Sequence, residues 1–224
     1  MKPFEKQLLA EFFATFLCLT VACGTALFTM PFVGYLGVAM TFGLVTVALY
    51  SIFSKFSGCH MNPAVSLSFF IAKKIDFKTF LSYALTQLIA GLLAAGGLLL
   101  LFKSLMYCSN LSTFVTNGYN HLSPNHFGLW GCALVEILTT FMVCMAYLAR
   151  SEDKTIPVFV LGATIVATHF FALPITGASL NPARSFGVAI VEGGEALKQV
   201  WFFFVMPMLG AFFAAYLHQA FYKK

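Results

Sequence analysis

Ser179-Leu180-Asn181-Pro182-Ala183-Arg184-Ser185 is the stretch on which the fold turns, and it has a twin in Met61-Asn62-Pro63-Ala64-Val65-Ser66. Asn is a favoured N-cap, and Pro suits the first helical position, where its missing N–H would be unpaired anyway. Each copy therefore reads as a loop that turns into a short helix, one from 62 to about 73 and one from 181 to about 191. Neither is long enough to cross a bilayer, which takes roughly 20 residues. Two half-helices whose N-termini meet at mid-membrane solve that problem. One Asn-Pro-Ala alone is ordinarily just a capped helix. Two copies in matching surroundings, in a chain this apolar, reverse that reading.

The 224 residues are 60% hydrophobic and only 9% charged, with a mean hydropathy of +0.87. A soluble domain carries about 25% charged residues. The composition thus indicates an all-α, polytopic membrane protein, with residues 1–224 forming one domain. Lys2 and Lys6 precede a first apolar run that is too long for a signal peptide and has no clear cleavage site, so it reads as a retained span. The cysteines at 18, 23, 59, 108, 132 and 144 show neither CxxC nor metal-ligand spacing. No disulfide, metal or redox role is expected of them, since Cys inside a span behaves as a small hydrophobe.

Six runs are long enough to span: 8–28, 34–53, 80–102, 129–148, 156–173 and 200–221. The two Asn-Pro segments fall between the second and third runs and between the fifth and sixth. The longest polar stretch, 105–127, contains Ser109, Asn110, Asn117, Gly118, Asn120, Ser123 and Pro124, and reads as the loop joining two halves. With the N-terminus cytoplasmic, Lys2, Lys6, Lys55, Lys73, Lys74, Lys78, Arg150, Lys154, Lys223 and Lys224 lie inside. Only Lys103 and Lys198 lie outside, and Arg184 stays within the membrane. That bias places both termini in the cytoplasm. It also accounts for the net charge of +5 without an acidic or nucleic-acid partner.

The halves, about 1–104 and 128–224, repeat. At an offset of 119, Gly43 matches Gly162, Val47 matches Val166, Ser57 matches Thr176, Gly58 matches Gly177 and Ser66 matches Ser185. At an offset of 125, Glu11, Thr15 and Phe16 match Glu136, Thr140 and Phe141. Three spans per half is an odd number, so the second half enters the membrane upside down. Such an inverted repeat puts the functional site near the midplane, between the halves, on interrupted helices.

Two opposed helix N-termini each present unpaired N–H groups and about half a positive charge, a field that repels cations and protons. Asn62 and Asn181 offer amide donors to a path between them. The carbonyls of Gly58, Cys59, His60 and Met61, and of Gly177, Ala178, Ser179 and Leu180, have no helical partner. Irregular backbone at membrane depth persists only where it is buried in protein or lines water. An Arg in lipid costs at least ~2.5 kcal/mol, so Arg184 should face the aqueous path. His169, late in the fifth run, is alone an ordinary core histidine; beside Arg184 it forms a polar collar. His60 reads as packing or a loop hydrogen bond. Glu11 and Glu136 read either as a proton relay or as acceptors for the two loops, and their symmetric placement favours the second. Small residues at Gly91, Ala94–Gly97, Gly210, Ala214 and Ala215 suit close helix packing.

With these residues in view, the chain resembles an aquaporin of the major intrinsic protein family, over nearly its whole length. The resemblance implies a right-handed bundle of six transmembrane helices and two re-entrant half-helices, assembled as a homotetramer with a pore through each subunit. It implies two Asn-Pro-Ala boxes, Asn62, Pro63, Ala64 and Asn181, Pro182, Ala183, and a selectivity constriction of Phe42, His169, Ala178 and Arg184. Phe, His and Arg together resemble the narrow, water-selective branch. In glycerol facilitators the His position is usually Gly, and the second box usually runs on as Arg-Asp rather than Arg184-Ser185. Asn117-Gly118-Tyr119 looks like the bacterial Z-type water channels, in which a connecting-loop carbonyl helps hold the Arg; a bacterial inner membrane follows. Ala178 departs from the usual Thr or Cys, a change expected to widen the filter slightly.

The leading expectation is passive water conduction with no covalent step, no cofactor and no gating device. The alternatives are a facilitator of glycerol, ammonia or hydrogen peroxide, an ion-coupled transporter using Glu11 and Glu136, and a membrane-embedded enzyme or structural junction protein.

Overall fold

The computed structural model describes residues 1–105 and 115–222. Ser109, Asn110 and Cys108 in the connecting stretch lie outside the described residues, as do Lys223 and Lys224. The described elements are α1 (Pro3–Phe28), α2 (Met30–Ser57), α3 (Pro63–Ile71), α4 (Phe77–Lys103), a 3₁₀ turn (Asn120–Leu122), α5 (Leu129–Glu152), α6 (Val158–Thr176), α7 (Pro182–Glu192), α8 (Gly194–Gln199) and α9 (Phe202–Tyr222). Six spans are long and apolar enough to cross a membrane, α8 and α9 together forming the sixth.

Several helices outrun the apolar runs that announce them. α1 begins at Pro3 rather than at 8, and α5 continues to Glu152 rather than 148. Hydropathy marks the lipid-facing middle of a helix, whereas backbone hydrogen bonding continues into the polar ends. α2 shows the opposite effect. Its first turn starts at Met30, but Gly34, at φ 62° and ψ −173°, breaks the helix where the apolar run begins.

The half-helices α3 and α7 start where Asn-Pro puts them. Asn62 and Asn181 are both extended, and each Oδ1 accepts a backbone N–H two residues on: Ala64 at 2.8 Å and Ala183 at 3.0 Å. α3 stops at Ile71, short of 73, because Lys73 turns into the left-handed region at φ 60°.

The halves interlock around a pseudo-two-fold relation that can be read atom by atom. α2 crosses α6 at Gly43 and Gly162. A Cβ on Gly43 would lie 2.3 Å from Val166 Cγ2, and a Cβ on Gly162 would lie 2.3 Å from Val47 Cγ2. The two contacts are exchanged copies of one another. Likewise α1 packs on α4 as α5 packs on α9, and α4 on α7 as α9 on α3. Close approach of backbones is how helices associate where lipid removes the hydrophobic driving force. Gly91 and Gly210 serve this role, with Ala183 O and Ile137 O at 2.4 Å and 2.5 Å from a would-be Cβ. Gly96 and Gly97, expected to share it, face open space.

Candidate functional site

Each re-entrant loop leaves its helix through the left-handed region, and the two do so identically. Gly58, Cys59 and Met61 have φ of 90°, 52° and 55°; Gly177, Ala178 and Leu180 have 74°, 51° and 52°. For the four non-glycine residues this is a strained conformation, on the order of 1–3 kcal/mol each, which persists only where the surroundings over-determine it.

Two buried carboxylates do that. Glu11 accepts from Ser57 Oγ at 2.7 Å, from the backbone N–H groups of His60 and Met61 at 2.9 Å each, and from Gln87 Nε2 at 2.8 Å. Glu136 accepts from Thr176 Oγ1 at 2.6 Å, Ser179 N at 3.0 Å and Leu180 N at 2.9 Å. Both residues are fully buried. Each carboxylate thus hydrogen-bonds the loop of its own half. Gln87 has no counterpart in the second half, and the sequence reading missed it. A single amide in the middle of an apolar span was the available signal.

The half-helix tips meet. Asn62 Nδ2 donates to Leu180 O at 2.7 Å, and Asn181 Nδ2 donates to Met61 O at 2.9 Å. Each Asn therefore caps its own helix and bridges to the opposite loop. An amide NH2 carries two protons, so each retains one beyond the bridge. Both residues line a cavity of about 50 Å³, large enough to hold water.

The cavity lining is of two kinds. Leu19, Phe42, Val143 and Ile165 are apolar; His60, Asn62, His169, Ser179, Asn181 and Arg184 are polar. Cys18, Thr46, Met61, Tyr147 and Leu180 complete the lining. Phe42 and His169 stack with ring centroids 4.1 Å apart. His169 Nδ1 faces the Ile165 carbonyl at 2.9 Å, so that nitrogen carries the proton and, in the neutral ring, Nε2 is left as an acceptor. His60 fills both expected roles and a further one. Its Nδ1 lies 3.1 Å from Ser66 Oγ, its ring packs on Phe69 and Tyr83, and the residue is among those that line the cavity.

Arg184 is 3% exposed. Its Nη1 donates to Asn117 Oδ1, and its Nη2 to Gly177 O at 3.1 Å. Among the described residues, the connecting loop thus holds the guanidinium through a side-chain amide oxygen, where the resemblance implied a backbone carbonyl. Asn117 Nδ2 in turn donates to Thr176 O at 3.2 Å.

Two features differ from the sequence reading. Ala178 is fully buried and is not among the residues lining the cavity; neither are Gly58, Cys59 and Gly177. The Ala178 N–H donates to Thr176 Oγ1 at 3.1 Å. Moreover, three of the eight loop carbonyls, those of Met61, Gly177 and Leu180, already accept protein donors.

The sequence profile of the major intrinsic proteins matches residues 1–218. The chain belongs to the major intrinsic protein family. Aquaporins of this family are transmembrane channels rather than enzymes. Aquaporin Z of Rhodopseudomonas palustris is 32% identical over 209 residues, covering 90% of this chain and 87% of that protein. Aquaporin Z of Photorhabdus laumondii is 32% identical over 213 residues, covering 92% of each. The X-ray structure of the aquaglyceroporin from Plasmodium falciparum superposes with a TM-score of 0.80 at 21% identity, covering 99% of this chain and 96% of that one. That likeness shows the aquaporin fold: an all-helical bundle of six spans and two half-helices.

Proposed function

We propose that the chain is a passive, water-selective channel that conducts in single file and excludes protons and ions. One observation carries the reading: the crossed Asn62–Asn181 pair lines a small cavity that His169 and Arg184 also line. Water entering loses bulk hydrogen bonds and gains those of Arg184, His169, the two Asn amides and the loop carbonyls. The opposed half-helix N-termini and the fixed guanidinium together disfavour a cation at the centre. Phe42, His169 and Arg184 set the bore. The likeness to the two Aquaporin Z proteins supports the same assignment.

In this reading residues 1–224 act as one channel unit, without a cofactor, inside a homotetramer in contact with membrane lipid. The basic-residue bias supports cytoplasmic termini, and the Z-type likeness supports a bacterial inner membrane. Glu11 and Glu136 work as loop supports. Glu11 accepts four donors and Glu136 three, most of them from the loops, which favours loop support over a proton relay.

Stopped-flow light scattering on proteoliposomes tests this. Water flux well above that of empty vesicles, with glycerol flux near the background, is expected. Glycerol flux comparable to water flux would contradict the narrow bore, and uptake that requires a proton gradient would contradict a passive channel.

A further inference from the structure

Behind the cavity wall runs a short hydrogen-bonded chain. Ser179, which lines the cavity, has its Oγ 2.6 Å from Ser185 Oγ; Ser185 Oγ donates to Asn117 Oδ1 at 2.6 Å; and Asn117 Oδ1 also receives Arg184 Nη1. All four residues are at most 4% exposed.

Donor counting fixes the direction of every bond. A guanidinium has no acceptor, so the Asn117 oxygen, not its NH2, must face Arg184. That oxygen then accepts the single proton of Ser185. Having given it away, Ser185 can only accept from Ser179. Ser179 therefore donates to Ser185, in preference to the Asn181 carbonyl 3.5 Å from the same hydroxyl.

We propose that Ser185 is a positioning residue for Arg184. Together with Thr176 O it holds the Asn117 amide in the orientation that receives the guanidinium, and it sets the direction in which Ser179 donates. The matching position in the first half supports the idea of a serine relay used twice. Ser66 lies between His60 Nδ1 at 3.1 Å and the Gln87 amide, whose Nε2 is 3.1 Å away. There the relay ends on Glu11 through Gln87; in the second half it ends on Arg184 through Asn117. Without the Ser185 hydroxyl, the Asn117 amide keeps its bonds to Arg184 Nη1 and Thr176 O but loses one of the three that fix its orientation, which loosens the seat of the guanidinium.

This inference rests on Arg184 acting as the ion barrier. The test measures proton flux, by a pH-sensitive dye under an imposed potential, and osmotic water flux on the same proteoliposomes. Wild type, Ser185→Ala, Ser185→Thr and Arg184→Val are compared. Ser185→Ala is expected to raise the proton-to-water flux ratio roughly threefold to tenfold, the size of one hydrogen bond. Ser185→Thr, which keeps the hydroxyl, is expected to restore the wild-type ratio. A purely structural role would lower both fluxes together and leave the ratio unchanged. If Ser185→Ala is not recovered folded, Ser185→Cys, similar in size but a weaker donor, is read the same way. An unchanged ratio in Ser185→Ala or its Cys substitute, with a raised one in Arg184→Val, overturns the proposal. An unchanged ratio in Arg184→Val overturns the barrier role beneath it.

Discussion

Asn62 and Asn181 cross-bond: the amide of each donates to the carbonyl that precedes the other, Leu180 O at 2.7 Å and Met61 O at 2.9 Å. Both carboxamide oxygens meanwhile cap their own helices. Replacing either Asn by Ala removes a cap, worth typically ~1 kcal/mol, and strips a donor from a buried carbonyl, worth about 1–3 kcal/mol. A lowered melting temperature in detergent is expected for each single variant. Because the bonds share one junction, the Asn62→Ala/Asn181→Ala double variant should lose less than the sum. Strict additivity would mean that the two tips are not coupled.

Most of this junction was legible beforehand, because Asn-Pro carries a backbone instruction: cap, then helix. The inverted repeat was legible for a similar reason, since glycines and paired carboxylates recur at fixed offsets. What escaped was partner choice. Hydropathy sees Gln87 as one polar residue in an apolar span and says nothing of which oxygen it reaches. Asn117 was singled out, but not that its side chain rather than its backbone grips Arg184. Sequence spacing fixes how far Ala178 lies from the box but not which way it faces, and its left-handed φ does not decide that either, since Met61 and Leu180 share it and line the cavity.

The α2–α6 crossing depends on having no side chain at Gly43 and Gly162. Gly162→Ala would drive a Cβ to 2.3 Å from Val47 Cγ2. Overpacking of this kind costs typically about 1–3 kcal/mol. Thermal unfolding in detergent should report the loss, and Val47→Ala in the same chain should recover much of it. A fully stable Gly162→Ala would show that the crossing is looser than described.

Arg184→Val removes the only cation on the cavity wall among the described residues. Water flux should persist while proton or monovalent-cation leak rises, measured by dye quenching in proteoliposomes. A leak equal to that of wild type would remove Arg184 from the barrier.

His169→Gly deletes the ring stacked on Phe42 and opens the bore on one side. Glycerol and slightly larger polyols should then pass, detected as reswelling after an osmotic step. Continued exclusion would show that the His169 ring does not set the diameter.

Glu11→Gln swaps one acceptor oxygen for an NH2 group that must face donors: Ser57 and His60 N on one side, or Met61 N and Gln87 on the other. A destabilisation of about 2 kcal/mol or more is expected, seen as lower folded yield and melting temperature. Water flux per folded molecule should stay insensitive to an imposed proton gradient. Wild-type flux driven by that gradient, and abolished in Glu11→Gln, would instead favour a proton relay.

The central claim is that water passes between the two half-helix tips. A density map of the protein in lipid, at a resolution that shows ordered water, tests it most directly. The account predicts a single file of waters, with one within hydrogen-bond reach of both Asn62 Nδ2 and Asn181 Nδ2 and the file continuing past the Arg184 guanidinium. A dry junction between the two amides, or a guanidinium swung away from Asn117 and across the file, would contradict it.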